Sequence, residues 1–109
     1  MSSIQPLGTI VGSRELTFAR KDGSRQNVQV LIGQPVEDKR GGWFCPYLIK
    51  AETFEKPFRS AGVDSAQSLQ LALNMISTDL DYLAEREEGA FLFDGDPDHG
   101  FPRFSQKDA

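Results

Sequence analysis

The sequence contains few of the residues on which catalysis, disulfide formation or membrane insertion depend. Its 109 residues include one cysteine and one histidine, so an internal disulfide is excluded and only one thiol–imidazole pair can form. The longest apolar stretches are a few residues, far below the roughly 20 that cross a bilayer. The first residues lack the basic segment and apolar core of a secretory signal. We therefore expect a cytoplasmic protein with no membrane partner.

Positive charge is also scarce. Twelve Lys and Arg residues stand against sixteen Asp and Glu residues, for a formal net charge of −4 and a pI near 4.9. Nucleic-acid-binding domains usually carry the opposite excess, so we expect no nucleic-acid partner. The charge is unevenly divided, with nine basic and six acidic residues in 1–60 but three and ten in 61–109. A basic partner would therefore bind the second half of the chain.

The length and composition predict one α+β domain. A hydrophobic fraction of 39% with a charged fraction of 26% excludes a disordered chain. A chain of this length has the size of one ordinary domain. We assign residues 9–104 to that domain, and residues 1–8 and 105–109 to tails.

Alternating apolar residues predict an antiparallel sheet of about four strands, in the order β-β-β-β-α. The strands are expected at residues 9–20, 25–32, 43–50 and about 53–60. The first two form a hairpin, because Asp22 and Gly23 make a turn sequence between them. In the third strand, the period of two places Cys45 on the face that meets the helix and Phe44 on the opposite face. Residues 90–93 are expected to form either a short fifth strand or a docking segment.

Residues 64–88 are predicted to form one long helix that packs on one face of the sheet. Apolar residues recur at spacings of three and four along one stripe, at Ala66, Leu69, Leu73, Ile76, Leu80 and Leu83. Asp64 is expected to cap the N-terminus of the helix, with Gln67 completing a capping-box pair. Gly89 is expected to end the helix.

The second face of the sheet also carries apolar side chains that need a cover. One helix covers one face, while Leu31, Phe44 and Leu48 are predicted to point to the other. Four of the last nineteen residues are Phe, which is too many for a free tail. We therefore expect the C-terminal segment, or a second subunit in a homodimer, to cover part of that face.

Three segments are distinctive in combination: Trp43-x-Cys45-Pro46-Tyr47-x-Ile49, Gly62-Val63-Asp64-x-x-Gln67 and Gly100-Phe101-Pro102. With them, the chain resembles a family of short bacterial proteins that form a domain of unknown function. The resemblance covers residues 14–102 and implies a bacterial origin and a compact domain. It implies no activity, cofactor or catalytic residue.

Two groups of residues have the side-chain types of a chemical site. Asp94, Asp96 and Asp98 alternate as in the first half of a calcium loop, but the sixth position is His99, where Gly is needed, and the twelfth is Ser105, where Glu is needed. Cys45 and His99 are the one available thiol–imidazole pair, yet a cysteine that faces a helix usually behaves as a small hydrophobe. We predict no catalytic residue, no metal and no cofactor.

Acidic residues crowd the second half of the predicted helix and the loop that follows. Cations are favoured at a helix C-terminus, so this arrangement costs stability and can mark a binding surface. Trp43 is a candidate aromatic anchor for a partner. The candidate partner-binding residues are therefore Asp79, Asp81, Glu85, Glu88, Asp94, Asp96, Asp98 and Trp43.

The sequence favours a non-enzymatic protein-binding or adaptor domain. In its most specific form, this hypothesis is an immunity-like or antitoxin-like role in which the acidic surface contacts a basic protein. The alternative is a small-ligand binder or enzyme with a pocket between the sheet and the C-terminal segment, near Tyr47, Tyr82 and His99.

Overall fold

A computed structural model describes residues 7–104. The described residues form an antiparallel sheet and one helix, which confirms the predicted α+β class. The strands and helix are, in chain order, β1 (Ile10–Arg20), β2 (Arg25–Gly33), β3 (Val36–Glu37), β4 (Trp43–Ala51), β5 (Glu55–Gly62), α1 (Ser65–Arg86) and β6 (Gly89–Leu92). The predicted tails lie outside the described residues, apart from Leu7 and Gly8. No helix among residues 7–104 is long and apolar enough to span a membrane.

The sheet has six strands within the described residues, so the prediction of about four was too low. β6, β1, β2 and β4 lie side by side in that order, and β5 pairs with the other side of β4. β3 continues the line of β2 and pairs with the start of β4. It was missed because its two residues lie in a segment rich in Gly, Pro and charge. β6 confirms the short fifth strand that was one of the two expectations for residues 90–93.

The helix begins as predicted but ends differently. Asp64 accepts a hydrogen bond from the N–H of Gln67 (2.8 Å), and the Gln67 side chain accepts one from Val63 N–H (2.7 Å). At the other end, the residue in the left-handed region is Glu88, with φ of 56°, and not Gly89. Gly89 starts β6, where a Cβ would lie 2.5 Å from the Phe18 ring. Glycine is therefore required there by a close approach of two strands.

The core lies between α1 and one face of the sheet. Its strand side chains include Leu16, Phe18, Val28, Val30, Cys45, Tyr47 and Ile49, and its helix side chains include Ala72, Ile76, Leu80 and Leu83. The hydrophobic stripe is therefore correct in its second half. At the start of the helix the buried residue is Ser68, while Ala66 is exposed. The Ser68 hydroxyl donates a hydrogen bond to the carbonyl of Ser65 (2.9 Å), and the Ser68 carbonyl accepts one from the hydroxyl of Ser60 on β5.

Residues 93–104, called here the C-terminal segment, pack on the helix side of the sheet. The expectation that this segment covers the opposite face is therefore wrong. Phe101 is buried and belongs to the core. The side-chain amide of Asn74 on α1 donates a hydrogen bond to the carbonyl of Pro102 (2.9 Å). Because β6 follows the helix directly and pairs with β1, the chain returns beside α1 rather than crossing the sheet.

The face of the sheet turned away from α1 is called here the outer face. It is partly covered by residues 7–9, called here the N-terminal segment. The carbonyl of Leu7 lies so close to Gly33 that a Cβ there would be 2.1 Å from its oxygen and 2.9 Å from Pro46. Only glycine allows this approach. Leu48 is also buried on this face, whereas Phe44 is half-buried.

Candidate functional site

The first of the predicted partner-binding residues, Asp79, is used within the fold. It accepts a hydrogen bond from the buried Tyr47 hydroxyl (2.6 Å), and the Lys56 ammonium lies 4.0 Å away. Burial and the adjacent Asp79 carboxylate raise the pKa of Tyr47 well above its usual range. Asp79 therefore satisfies a core phenol that would otherwise have no partner among the described residues.

Asp81 and Asp98 are brought together by Arg103, which sequence reasoning missed. The Arg103 guanidinium donates to both oxygens of Asp81 (3.1 and 3.0 Å) and to Asp98 (3.2 Å). Partial burial opposes ionisation of Asp81, but hydrogen bonds from Arg103 and His99 outweigh it and lower its pKa. The hydrogen bond from Arg103 likewise lowers the pKa of Asp98. The bonds to Asp81 hold the C-terminal segment against the helix, and the bond to Asp98 fixes Arg103 within that segment.

His99 is buried within this cluster, and both of its ring nitrogens are occupied. The backbone N–H of Phe101 donates to Nδ1 (3.1 Å), so Nδ1 is an acceptor. The proton of the neutral ring is then on Nε2, from which it is donated to Asp81 (3.1 Å). Arg103 approaches Nε2 because both groups bind the same carboxylate oxygen.

Arg14 on β1 completes the attachment of the C-terminal segment. Its guanidinium lies 4.0 Å from the Phe93 ring centroid and 4.7 Å from that of Phe101, within cation–π range of both. It also donates a hydrogen bond to the carbonyl of His99 (3.0 Å). Glycine is favoured at position 100, because its φ of 80° lies in the left-handed region; a Cβ there would also lie 2.7 Å from the guanidinium. The whole cluster therefore has a structural role.

Four of the predicted acidic residues remain unpaired. Within residues 7–104, the side chains of Glu85, Glu88, Asp94 and Asp96 are exposed and make no ion pair or hydrogen bond. The described residues contain no group of three or more acidic, His or Cys side chains placed to hold a metal ion. Trp43 is separate from these four acidic residues, because it lies on β4 and pairs with Gly62, just before the helix.

Cys45 faces the core as predicted. It is fully buried, and its thiol donates a hydrogen bond to the carbonyl of Gly33 (3.3 Å). Burial raises the pKa of the thiol to about 11. Because His99 uses its ring nitrogens elsewhere, this cysteine has no base to activate it among the contacts of the described residues. The contacts favour the structural interpretation of Cys45.

A groove of about 480 Å³ lies on the outer face, where sequence reasoning placed no site. Its lining comes from the N-terminal segment, from β3 and the residues before it, and from neighbouring positions of β4 and β5: Leu7, Gly8, Thr9, Gln34, Val36, Phe44 and Arg59. The Arg59 guanidinium lies 4.4 Å from the Phe44 ring centroid. The prediction that Phe44 points away from the helix was the one sequence signal for this groove.

A second, smaller cavity of about 140 Å³ lies between α1 and the C-terminal segment. Asp81, His99 and Arg103 contribute to its lining. Neither Tyr47 nor Tyr82 does, although both were expected near a pocket in this region. Its polar groups are those that already bind one another.

Comparison with known proteins places the chain in a family. A family model described as a domain of unknown function (DUF6968) matches residues 12–103. The chain belongs to this family. No curated protein and no solved structure matches it. Membership in DUF6968 agrees with the resemblance found in the sequence and supplies no activity, so function must be argued from the surface of this domain.

Proposed function

We propose that this DUF6968 domain is a non-enzymatic protein-binding domain and that it binds a partner with the outer-face groove. The observation that carries this proposal is the groove itself, an apolar depression beside Phe44 and Val36 on the sheet face opposite the helix. A volume of about 480 Å³ lies within the range in which proteins bind ligand groups, about 300–1,000 Å³. Exposed apolar depressions on soluble domains commonly mark interaction sites.

The arrangement of reactive side chains supports binding over catalysis. Tyr47, Cys45 and His99 are buried, and each is held by a hydrogen bond to another group of the fold. A general base must reach a substrate proton, and a nucleophile must be accessible. The small cavity beside His99, at about 140 Å³, is below the usual size of a substrate pocket, about 300 Å³ or more.

The four unpaired carboxylates support a second contact surface for a basic partner. Glu85, Glu88, Asp94 and Asp96 are exposed, and their field would raise encounter rates with a cationic protein. The immunity-like or antitoxin-like hypothesis depends on this surface. Replacing these four residues by their amides tests it, because Asp79, Asp81 and Asp98 stabilise the fold and are left unchanged.

The groove is tested by comparing two Val→Asp variants in affinity capture from the source organism. Val36 lines the groove and is 41% exposed, whereas Val63 is 79% exposed just before the helix and does not line it. We expect Val36→Asp to lose a partner that both the wild type and Val63→Asp retain. Circular dichroism checks that both variants fold.

Equal capture by all three proteins would contradict the proposal.

The predicted homodimer is measured on the same samples by light scattering after size-exclusion chromatography. A dimer that Val36→Asp dissociates and Val63→Asp does not would identify a second copy of the chain as the occupant of the groove.

A further inference from the structure

The groove contains a cation that the fold leaves unpaired. Within residues 7–104, the Arg59 side chain makes no ion pair and no hydrogen bond, and it lies against the Phe44 ring. A guanidinium has five N–H donors in a planar fork that matches a carboxylate. Stacking on an aromatic ring leaves the edge of that fork, which carries the donors, open to a ligand.

Asp38, the carboxylate on which the charge of Arg59 acts, makes its ion pair with another residue. Asp38 accepts a hydrogen bond from the backbone N–H of Arg40 (3.0 Å) and lies 3.7 Å from its guanidinium. The hydrogen bond from Arg40 N–H lowers the pKa of Asp38 most, and the charges of Arg40 and Arg59 act in the same direction. Asp38 is therefore paired with Arg40 and makes no ion pair with Arg59 within the described residues.

The remaining walls of the groove favour an extended peptide. Leu7, Val36 and Phe44 provide apolar surface. Just before β3, the N–H of Gln34 already donates a hydrogen bond to the carbonyl of Thr9 (2.8 Å), so a peptide would lie over the groove rather than pair with the sheet beside Gln34. An extended peptide places alternate side chains on one face. A carboxylate and an apolar side chain two positions apart would then enter the groove together.

We propose that the outer-face groove binds an extended acidic segment of a partner protein, in which a carboxylate pairs with Arg59 and an apolar side chain two residues away packs against Val36 and Phe44. This inference rests on the proposed function and specifies the chemistry of its partner. It also assigns the binding of an acidic segment to the mildly basic first half of the chain.

The test is an NMR titration of the ¹⁵N-labelled full-length protein with the capped peptide Gly-Ser-Leu-Ser-Asp-Ser-Gly. A second peptide carries Asn in place of Asp, and a third exchanges the second Ser with Asp so that Leu and Asp are adjacent. We expect signal shifts at Gln34, Val36 and the Arg59 side chain. We expect the affinity to fall about two- to fivefold for the Asn peptide, the size of a well-formed exposed ion pair, and to fall also for the adjacent arrangement.

The matched variants are Arg59→Gln and Arg25→Gln. Arg25 lies on the same outer face, since it pairs with Ala19 near the far end of the hairpin. We expect Arg59→Gln to bind the Asp and Asn peptides equally, and Arg25→Gln to discriminate between them as the wild type does. Equal binding of the two peptides by the wild type would overturn the carboxylate assignment.

Two further outcomes separate this inference from the proposed function. If hexanoate matches the affinity of the Asp peptide, the groove takes free carboxylates and the peptide assignment is wrong. If Val36→Asp loses its partner while Arg59→Gln retains it at full affinity, the groove binds protein without an acidic segment. In that case the proposed function stands and this inference fails.

Discussion

Phe101→Ala removes the ring that anchors the C-terminal segment in the core. Phe101 is 8% exposed, and its ring lies 6.1 Å from that of His99 and 4.7 Å from the Arg14 guanidinium. Burying a Phe side chain contributes about 1.5–3 kcal/mol, and Phe→Ala in a core costs about 3–5 kcal/mol once the cavity is included. Phe101 lies in a segment without regular secondary structure, where a cavity can partly collapse. We therefore expect a loss of about 3 kcal/mol in unfolding free energy.

The loss is measured by urea unfolding, followed by Trp43 fluorescence and by circular dichroism. About 3 kcal/mol corresponds to a fall in Tm of roughly 12–24 °C for a domain of this size. Phe104→Ala is the matched control, because Phe104 is 46% exposed, and its loss should stay below about 1 kcal/mol. Equal losses at the two positions would refute the placement of the C-terminal segment, and so would a loss below about 1 kcal/mol at Phe101.

Three other predictions use the same domain. Ile76→Ala should lower the unfolding free energy by about 2–5 kcal/mol and Leu73→Ala by clearly less, because Ile76 is fully buried and Leu73 is at the core margin. Equal urea midpoints for the two variants would show that the assignment of the buried helix face is wrong. Burial raises the pKa of the Cys45 thiol to about 11. This thiol should therefore react with a thiol reagent far more slowly in the native protein than in urea, and equal rates would disprove its burial. Finally, the fold lowers the pKa of Asp81 below the ordinary 3.8. The ionised Asp81 carboxylate therefore stabilises the fold at neutral pH, and this contribution is lost as the pH falls through the lowered pKa. The stability difference between wild type and Arg103→Ala should therefore shrink as the pH falls below 3.8; a difference that does not change with pH would contradict the pairing of Asp81 with Arg103.

The elements that the sequence predicted well are those with local signals. The hairpin of β1 and β2 follows from strand alternation and a turn at Gly23, and the helix start follows from Asp64 and Gln67. The alternation in β4 places Cys45 in the core. Two short strands were harder, because two or four residues carry too few alternations to indicate a strand. The left-handed residue at the helix end is Glu88, since the close approach of β6 to Phe18 sets the position of Gly89.

The α+β class, the single long helix and the core face of β4 could all be predicted from the sequence. This was possible because periods of two and about 3.6 residues report which side chains share a face within one element. The tertiary structure alone decided which carboxylates remain free. Asp81 and Arg103 are 22 positions apart, and no periodicity relates them, so their pairing depends on the path of the chain after β6. The same holds for the groove, because Val36 and Arg59 come together only through the pairing of β3 and β5 with β4, and Leu7 only through its approach to Gly33.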